Sequence, residues 1–461
     1  MTGKPVRALA AALVGLVLFA APAGAGKAPV GHAAARKCEG PFKGGKRPTP
    51  EELARALQGH AEWVRADAQE DDPRRANLCG ANLNEANLRG VDLREADLTG
   101  ANLTGVDLTE ANFAAAHLKD ASLYGANLTR AKLNEAHLEG AGLTRANLTG
   151  ANLNAAFLGR AFLSQAKLVG AGLFGADLRK ANLSKAELTG ANLRRADVTG
   201  ANLQQATLVR ADLRDVQFRE ADLSGANLAE SIFEPLPGSQ PLIHTIALAA
   251  HLSQMTFKDT PLSLVELREE FKRKGLRQQE REITYAIRHT ERRRAWQAPW
   301  PGKLEGGLQY VLFEVPCLYG LSPGRPLATL AVLIPLFAIP YVIALRGRHG
   351  RAGIWAVRMP DRVHKRNLPD RSVRVSSQMR LLGRRGRWFR NLRIALYFSL
   401  LAAFNIGWRE LNIGDWIARL QAREYTLKAT GWVRAVSGVQ SLLSVYLVAL
   451  WVLTYFGRPF E

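Results

Sequence analysis

Residues 143–152 read "LTRANLTGAN", and the same phrase (Ala, then Asn or Asp, then Leu, then two freer positions) returns from Ala76 to Pro235. A period of five matches neither the 3.6 residues of a helical turn nor the 2.0 of a strand, so it cannot keep one stripe of either element buried. The tract holds 32 consecutive units without an insertion. Leu fills the central position in 28 of them, with Phe113, Val198, Phe218 and Phe233 in the others. Ala stands two residues earlier in 28, the exceptions being Val91, Val106, Val216 and Ser231. Such regularity demands one backbone unit repeated as a solenoid. Leu then fills the axis and Ala keeps the wall close to it. The residue between them is Asn or Asp in 19 units, suited to side-chain bonds with nearby backbone at tight turns.

The phrases "ANLTGANL" and "ADLSGANL" resemble the pentapeptide-repeat family. The resemblance implies an all-β, right-handed quadrilateral β-helix over 76–235 with four units to a coil. The 32 units then make eight coils, stacked at about 4.8 Å into a rod about 38 Å long. A fold of this kind hosts many functions. The gyrase-binding members of the family work as acidic imitations of DNA, whereas this tract balances 16 Lys+Arg against 18 Asp+Glu. That role is not expected here, and neither is a nucleic-acid partner.

The formal charge of +21 therefore lies outside the repeats. Residues 1–25 combine a basic start at Lys4 and Arg7, the apolar run "ALAAALVGLVLFAA" and the small residues "AGA", which together read as an export signal. The alternative is an uncleaved anchor; either reading puts the repeats outside the cytoplasm. Residues 26–75 form a leader with helical spacing at Leu53, Leu57 and Val64 after a start signal at Thr49, suited to cover the open end of the solenoid. "LIHTIALAAHLSQM" after Pro241 is placed to cover the other end. Residues 236–325 form a basic helical linker, with a capping box at Ser263 and Glu266 and a break at Gly275 between two charged helices. Its run "ERRRAW" is read as a solvated helix end, the alternative being contact with acidic lipid.

Residues 326–461 form an α-helical transmembrane module. "PLATLAVLIPLFAIPYVIAL" (326–345) has twenty uncharged residues and "VSGVQSLLSVYLVALWVLTYF" (436–456) is a second span. Between them, 394–408 is a short span or a re-entrant segment. The loop 346–393 carries 15 Lys+Arg against Asp361 and Asp370 alone, which assigns it to the cytoplasm. The order of these segments is similar to the two-helix ion-channel-like module of some bacterial pentapeptide-repeat proteins. That resemblance would place the start of a filter at Asn405, Ile406 and Gly407, but "FNIGWRELNIGDW" lacks a potassium-filter run and puts Arg409 where a cation would pass. The module thus resembles a degenerate channel domain.

No phosphate loop, nucleophile elbow or paired-carboxylate cleft occurs, so no catalytic residue and no cofactor are expected. Asp97, His117 and His137 stand 20 residues apart in one column. Stacked coils would bring the two imidazoles within about 5 Å, close enough to share a metal, although a plain polar ladder serves equally and one column offers poor tetrahedral geometry. Cys38 and Cys79 would share an oxidising compartment and could staple the leader to the first coil; spacing alone does not establish the bond. Coil five (156–175) replaces Asn or Asp with Phe157, Phe162, Lys167 and Gly172, and adds Phe174 at an outward position. Aromatics gathered on one turn suggest a surface for an envelope protein partner, the other reading being tolerated drift. The expectation is a non-enzymatic, membrane-anchored periplasmic scaffold of the bacterial inner membrane that contacts lipid. Homo-oligomers through the rod or the membrane module are open, and so is the alternative of an ion-channel-like or gating protein with a pentapeptide-repeat sensory or assembly domain.

Overall fold

The computed structural model describes residues 38, 40–66, 69, 72–346, 353–358, 372–374, 384–403 and 425–456. The export-signal reading of 1–25 and the filter-like Asn405–Gly407 lie outside them.

In a unit such as Ala96–Gly100 each backbone N–H finds a partner. Leu98 N–H donates to the carbonyl of His117 in the next coil (2.7 Å), and Asp97 N–H to that of Ala76 in the preceding one (3.0 Å). Gly100 N–H donates to Lys119 of the next coil (2.8 Å), and Ala101 N–H closes the corner onto Leu98 (2.9 Å). The fifth donor, Thr99 N–H, is taken by the side chain of Asp97 (3.0 Å). This last bond recurs in 18 of the 19 units that carry Asn or Asp, which explains the preference for those residues beside the central Leu. The parallel bridges run from residue to residue plus 20, as in Asn82↔Asn102 and Asn182↔Asn202, so four units do close one coil.

In 30 of the 32 units, all but those ending at Glu85 and Pro235, the last residue sits at positive φ. Gly takes it at Gly100 (64°) and Gly150 (66°), but Ala115 (55°) and Ala155 (55°) hold the same left-handed backbone. The lateral ladder thus imposes a conformation that L-residues ordinarily avoid. Inside, the Leu and Ala columns are fully buried in one continuous core.

Both ends are covered. Helix α1 (Pro50–Ala66) starts with a reciprocal capping box: Thr49 N–H donates to Glu52 Oε2 (2.8 Å) and Glu52 N–H to Thr49 Oγ1 (3.2 Å). Its buried His60 accepts the N–H of Ala76, the first residue of the solenoid, at Nδ1 (3.1 Å). Trp63 beside it is buried and donates to Gln69 O (2.9 Å). At the other end the regular coils give way to an irregular turn in which Ala250 and Thr256 continue the ladder on Asn227 and Ile232. Helices α2 (Leu262–Arg273) and α3 (Arg277–Gln297) close over it, with Leu264, Leu267, Phe271, Ile283 and Ile287 joining the solenoid core. Gly275 separates these helices at φ +73°. The capping box expected at Ser263 and Glu266 is not formed: α2 starts at Leu262, so Ser263 lies inside its first turn and no side chain caps the end. Arg294 ties the cap down, donating to the carbonyls of Phe257 and Lys258 with its guanidinium 4.2 Å from the Phe257 ring.

Helix α4 (Gly302–Gln309) passes through a π-helical turn, Tyr310–Glu314, toward α5 (Arg325–Arg346). Strands β1 (Gly353–Arg358), β2 (Ser372–Arg374) and β3 (Tyr425–Thr430) form an antiparallel sheet in the order β2-β1-β3, and helices α6 (Arg384–Ala403) and α7 (Trp432–Phe456) pack with α5. Helix α6 begins ten residues before the apolar run expected at 394. It runs antiparallel to α5, with Ala395 in one cluster with Leu345 and Ala403 in another with Leu330. Because β3 pairs with β1, Tyr425 lies at the sheet end of the bundle. The far end of α7 returns to the cap, where Arg281 donates to Thr454 O (2.9 Å).

Two expectations follow. Leu128 is fully buried on the axis and Thr129 lies at the partly open wall. Leu128→Arg should destabilise the rod by roughly 3–5 kcal/mol, as an uncompensated buried charge does, and Thr129→Arg by little; equal melting temperatures would refute the inward assignment. Burial pushes the His60 imidazole below its ordinary value of 6.5. Folding thus favours its neutral form, so its stabilisation is present above about pH 6.5 and is lost as pH falls through the depressed folded value. The melting temperature should drop from pH 7.5 to 5.5 and drop less in His60→Gln, and identical drops would exclude this residue as the titrating cap.

Candidate functional site

The outward side of the solenoid is set by the residue beside each central Leu. The column that begins at Asn77 runs through Asp97, His117, His137, Phe157 and Asp177, each bridged to the next. His117 and His137 stack with ring centroids 5.0 Å apart and an interplanar angle of 18°. Phe157 continues the stack on His137 at 4.7 Å and 9°. His137 Nδ1 also lies 3.5 Å from Glu139 Oε1. The structure thus brings Asp97, His117 and His137 into one line, but as a ring stack lying flat along the column. No group of three metal-ligating side chains is found among the described residues.

Phe157, Phe162 and Phe174 are all exposed, at 40%, 54% and 37%. They do not gather into one patch. Phe157 and Phe162 occupy successive units and hence adjacent sides of the quadrilateral, while Phe174 sits at the corner before the first of these sides. Phe157 is used by the His stack and Phe174 lies 5.6 Å from the guanidinium of Arg195. Coil five also lacks side-chain acceptors of its own for the fifth backbone donor: Phe174 N–H takes Asn154 Oδ1 of the coil before instead (3.0 Å).

Charges on the rod are paired locally. In Asp92-Leu-Arg94, Asp177-Leu-Arg179 and Asp212-Leu-Arg214 the carboxylate accepts both the N–H and the guanidinium of the residue two ahead. Burial raises the Asp177 carboxyl, yet the bonds from Arg179 outweigh it and hold the group below the usual range. Such pairing leaves the rod without a field of one sign.

Cys38 and Cys79 are joined by a disulfide with Cα atoms 5.6 Å apart, fastening the leader to the first coil. Cys317 is buried and free, and burial pushes its thiol up to about 11.

The model of pentapeptide repeats matches in eight copies, over 74–109, 107–145, 146–173, 171–208 and 199–234. The chain belongs to the pentapeptide-repeat family. It is similar to HetL, a pentapeptide-repeat protein involved in heterocyst differentiation regulation from the cyanobacterium Nostoc, at 35% identity over 39% of this chain and 85% of that one, with a TM-score of 0.26. A pentapeptide-repeat protein of the Arabidopsis thaliana thylakoid lumen is 31% identical over 22% of this chain and 71% of that one, TM-score 0.22. QnrB1, a plasmid-mediated fluoroquinolone resistance protein, is 18% identical over 42% and 95%, TM-score 0.19. No curated protein matches the chain significantly.

Outside the repeats, α5 and α7 are long and apolar enough to cross a membrane, with mean hydropathies of 2.3 and 1.8 and only 22% of each apolar window buried. A core helix of a soluble domain would be mostly covered. Instead Val332, Leu336, Ile339 and Ile343 present one open apolar stripe on α5, and Val439, Leu442, Leu453 and Phe456 another on α7. Sequence reasoning missed the polar knot between them. Tyr341 Oη donates to Gln440 Oε1 (2.8 Å), Gln440 Nε2 donates to Ser399 O (2.9 Å), and Ser399 Oγ donates to Ile334 O (2.5 Å), all within the three-helix interior. Gln440 and Ser444, four residues apart on α7, were the available signal: polar side chains on the inner face of an otherwise apolar helix.

Proposed function

We propose that the protein is a non-enzymatic interaction scaffold: a pentapeptide-repeat rod displayed in the periplasm and anchored in the bacterial inner membrane through α5 and α7. The observation that carries the anchoring is the pair of open apolar stripes on these helices, which water would not tolerate at this length. The rod contributes flat, locally neutral walls, and its irregular coil supplies exposed aromatic side chains to a protein partner. Export of the rod rests on the signal-like residues 1–25, and the Arg-rich loop 346–393 agrees by placing the opposite end of α5 in the cytoplasm. The cap contact from Arg281 to Thr454 fits this topology, since it holds the end of α7 on the rod's side.

A second reading is favoured by one observation. Helix α6 packs against both apolar helices and β3 pairs with β1, an arrangement that fits a pore-loop module. Conductance across bilayers reconstituted with the full chain separates a channel from an anchor.

The topology predicts that cysteines engineered near Arg366 are shielded from a membrane-impermeant label in intact cells, while exposed sites on the repeats react once the outer membrane is permeabilised; efficient labelling near Arg366 would reverse the orientation. For the partner surface, Phe157→Asn with Phe162→Asn restores side-chain acceptors beside Leu158 and Leu163 and should leave the rod at least as stable. Buried aromatic anchors carry about 2 kcal/mol or more of binding free energy, so the envelope partner captured by crosslinking should be lost. Unchanged yield of every crosslinked partner would reduce coil five to drift.

A further inference from the structure

A cavity of about 540 Å³ between α3 and the π-helical turn is lined by His289, Arg292, Arg293, Trp296, Gln297 and Tyr310. Its walls come from the last turns of α3 and from the π-helical turn after α4, an irregularity that places Tyr310 under the Arg292 guanidinium, 5.1 Å away. Arg292 is fixed from behind by Glu314, which accepts from its Nη2 (3.1 Å) and from Tyr285 Oη (3.4 Å). Glu314 is buried and offsets one of the two guanidinium charges. No carboxylate lines the cavity itself, and Arg293 stands exposed at its edge. The lining therefore combines residual positive charge, imidazole and amide donors, and two aromatic walls.

The surroundings are apolar and open. Leu304, Leu308, Val311, Leu312 and Val315 follow one another at helical spacing along α4 and the π-turn, and all are exposed, Val311 at 63%. Trp300 at the start of this stretch is 73% exposed. The stripe leads through Pro316 into α5 and its own open apolar face. A solvated helix end, the reading that "ERRRAW" suggests by itself, has no use for such a stripe. An element lying in the headgroup layer does: its apolar side sinks to the acyl boundary, Trp and Tyr sit at the interface, and basic groups face anionic lipid.

We propose that this cavity binds the phosphate headgroup of an anionic phospholipid in the leaflet on the rod's side, with α4 and the π-turn lying in the interface beneath it. The inference rests on the membrane-anchored reading above. Arg293, His289 and Gln297 face the phosphate, Arg292 lies behind it on Tyr310, Trp296 flanks the glycerol, and the acyl chains follow the Leu304–Val315 stripe. The bound lipid would then fix the angle between rod and bilayer, because α3 also closes the solenoid.

The test uses the full chain in neutral detergent, with phosphatidylglycerol or phosphatidylcholine added and bound lipid counted by native mass spectrometry. Phosphatidylglycerol should be retained over phosphatidylcholine, and Arg293→Gln should weaken its binding about fivefold, the worth of one basic residue at an anionic surface. Arg160→Gln on the exposed rod wall serves as control and should change nothing. Equal retention of the two lipids, or an Arg293→Gln variant that binds as the wild type does, overturns the proposal. Displacement by millimolar inorganic phosphate also overturns it, since the site would then take a free anion. Flotation with phosphatidylcholine vesicles tests the anchor separately: a chain that floats without preferring phosphatidylglycerol refutes only the headgroup site, and a chain that fails to float refutes both.

Discussion

Everything in the rod depends on one constraint: a coil with four corners must satisfy every backbone donor when a corner comes every fifth residue. Three of the five N–H groups in a unit bond to neighbouring coils and one closes the corner, which leaves the donor just after the central Leu. In 18 of the 32 units the Asn or Asp before that Leu accepts it. Leu and Ala look like the motif because they fill the axis, but the polar residue between them makes the corner chemically complete. The left-handed residue that ends each unit is a further consequence. The ladder holds Ala115 and Ala155 there as firmly as it holds glycines, so the fold carries local strain that lateral bonding offsets.

The same constraint explains why the ends look as they do. A stack of coils would finish in open donors and an uncovered core, an invitation to pair with another chain. At the start, one imidazole takes the first free N–H while α1 covers the Leu column, and the Cys38–Cys79 disulfide holds the leader in place. At the finish the chain spends residues 236–297 on an irregular coil and two helices whose apolar faces extend the axial core. That second cap also touches the helical module, where Arg281 donates to Thr454 O at the end of α7.

Within the helical module the decisive term is polar. Three helices packed by apolar side chains alone have little to fix their register where lipid is as apolar as the core. The knot of Tyr341, Ser399 and Gln440 supplies direction, because each bond is specific and a slipped register would strand buried polar groups. The antiparallel sheet pairs β3 with β1 and so brings Tyr425 back beside Arg358.

The repeat domain was legible in the sequence because its physics is local and periodic: the identity of each position follows from a contact 20 residues away that is the same in every coil. Burial of Leu and Ala and the use of Asn and Asp at corners could be read directly; the far end, expected under "LIHTIALAAHLSQM", is instead closed by α2 and α3, while Ala250 continues the ladder on Asn227. The sequence also marked α5 and α7 by composition, since length and apolarity are sums over a segment. It could not show that Phe157, Phe162 and Phe174 face different ways, because that depends on where the solenoid turns its corners. Nor could it show that His117 and His137 lie flat on Phe157, or that residues from α3 and the π-turn converge on one cavity. Those are relations between segments without a common period, and only the packing of cap, sheet and helices against one another decides them.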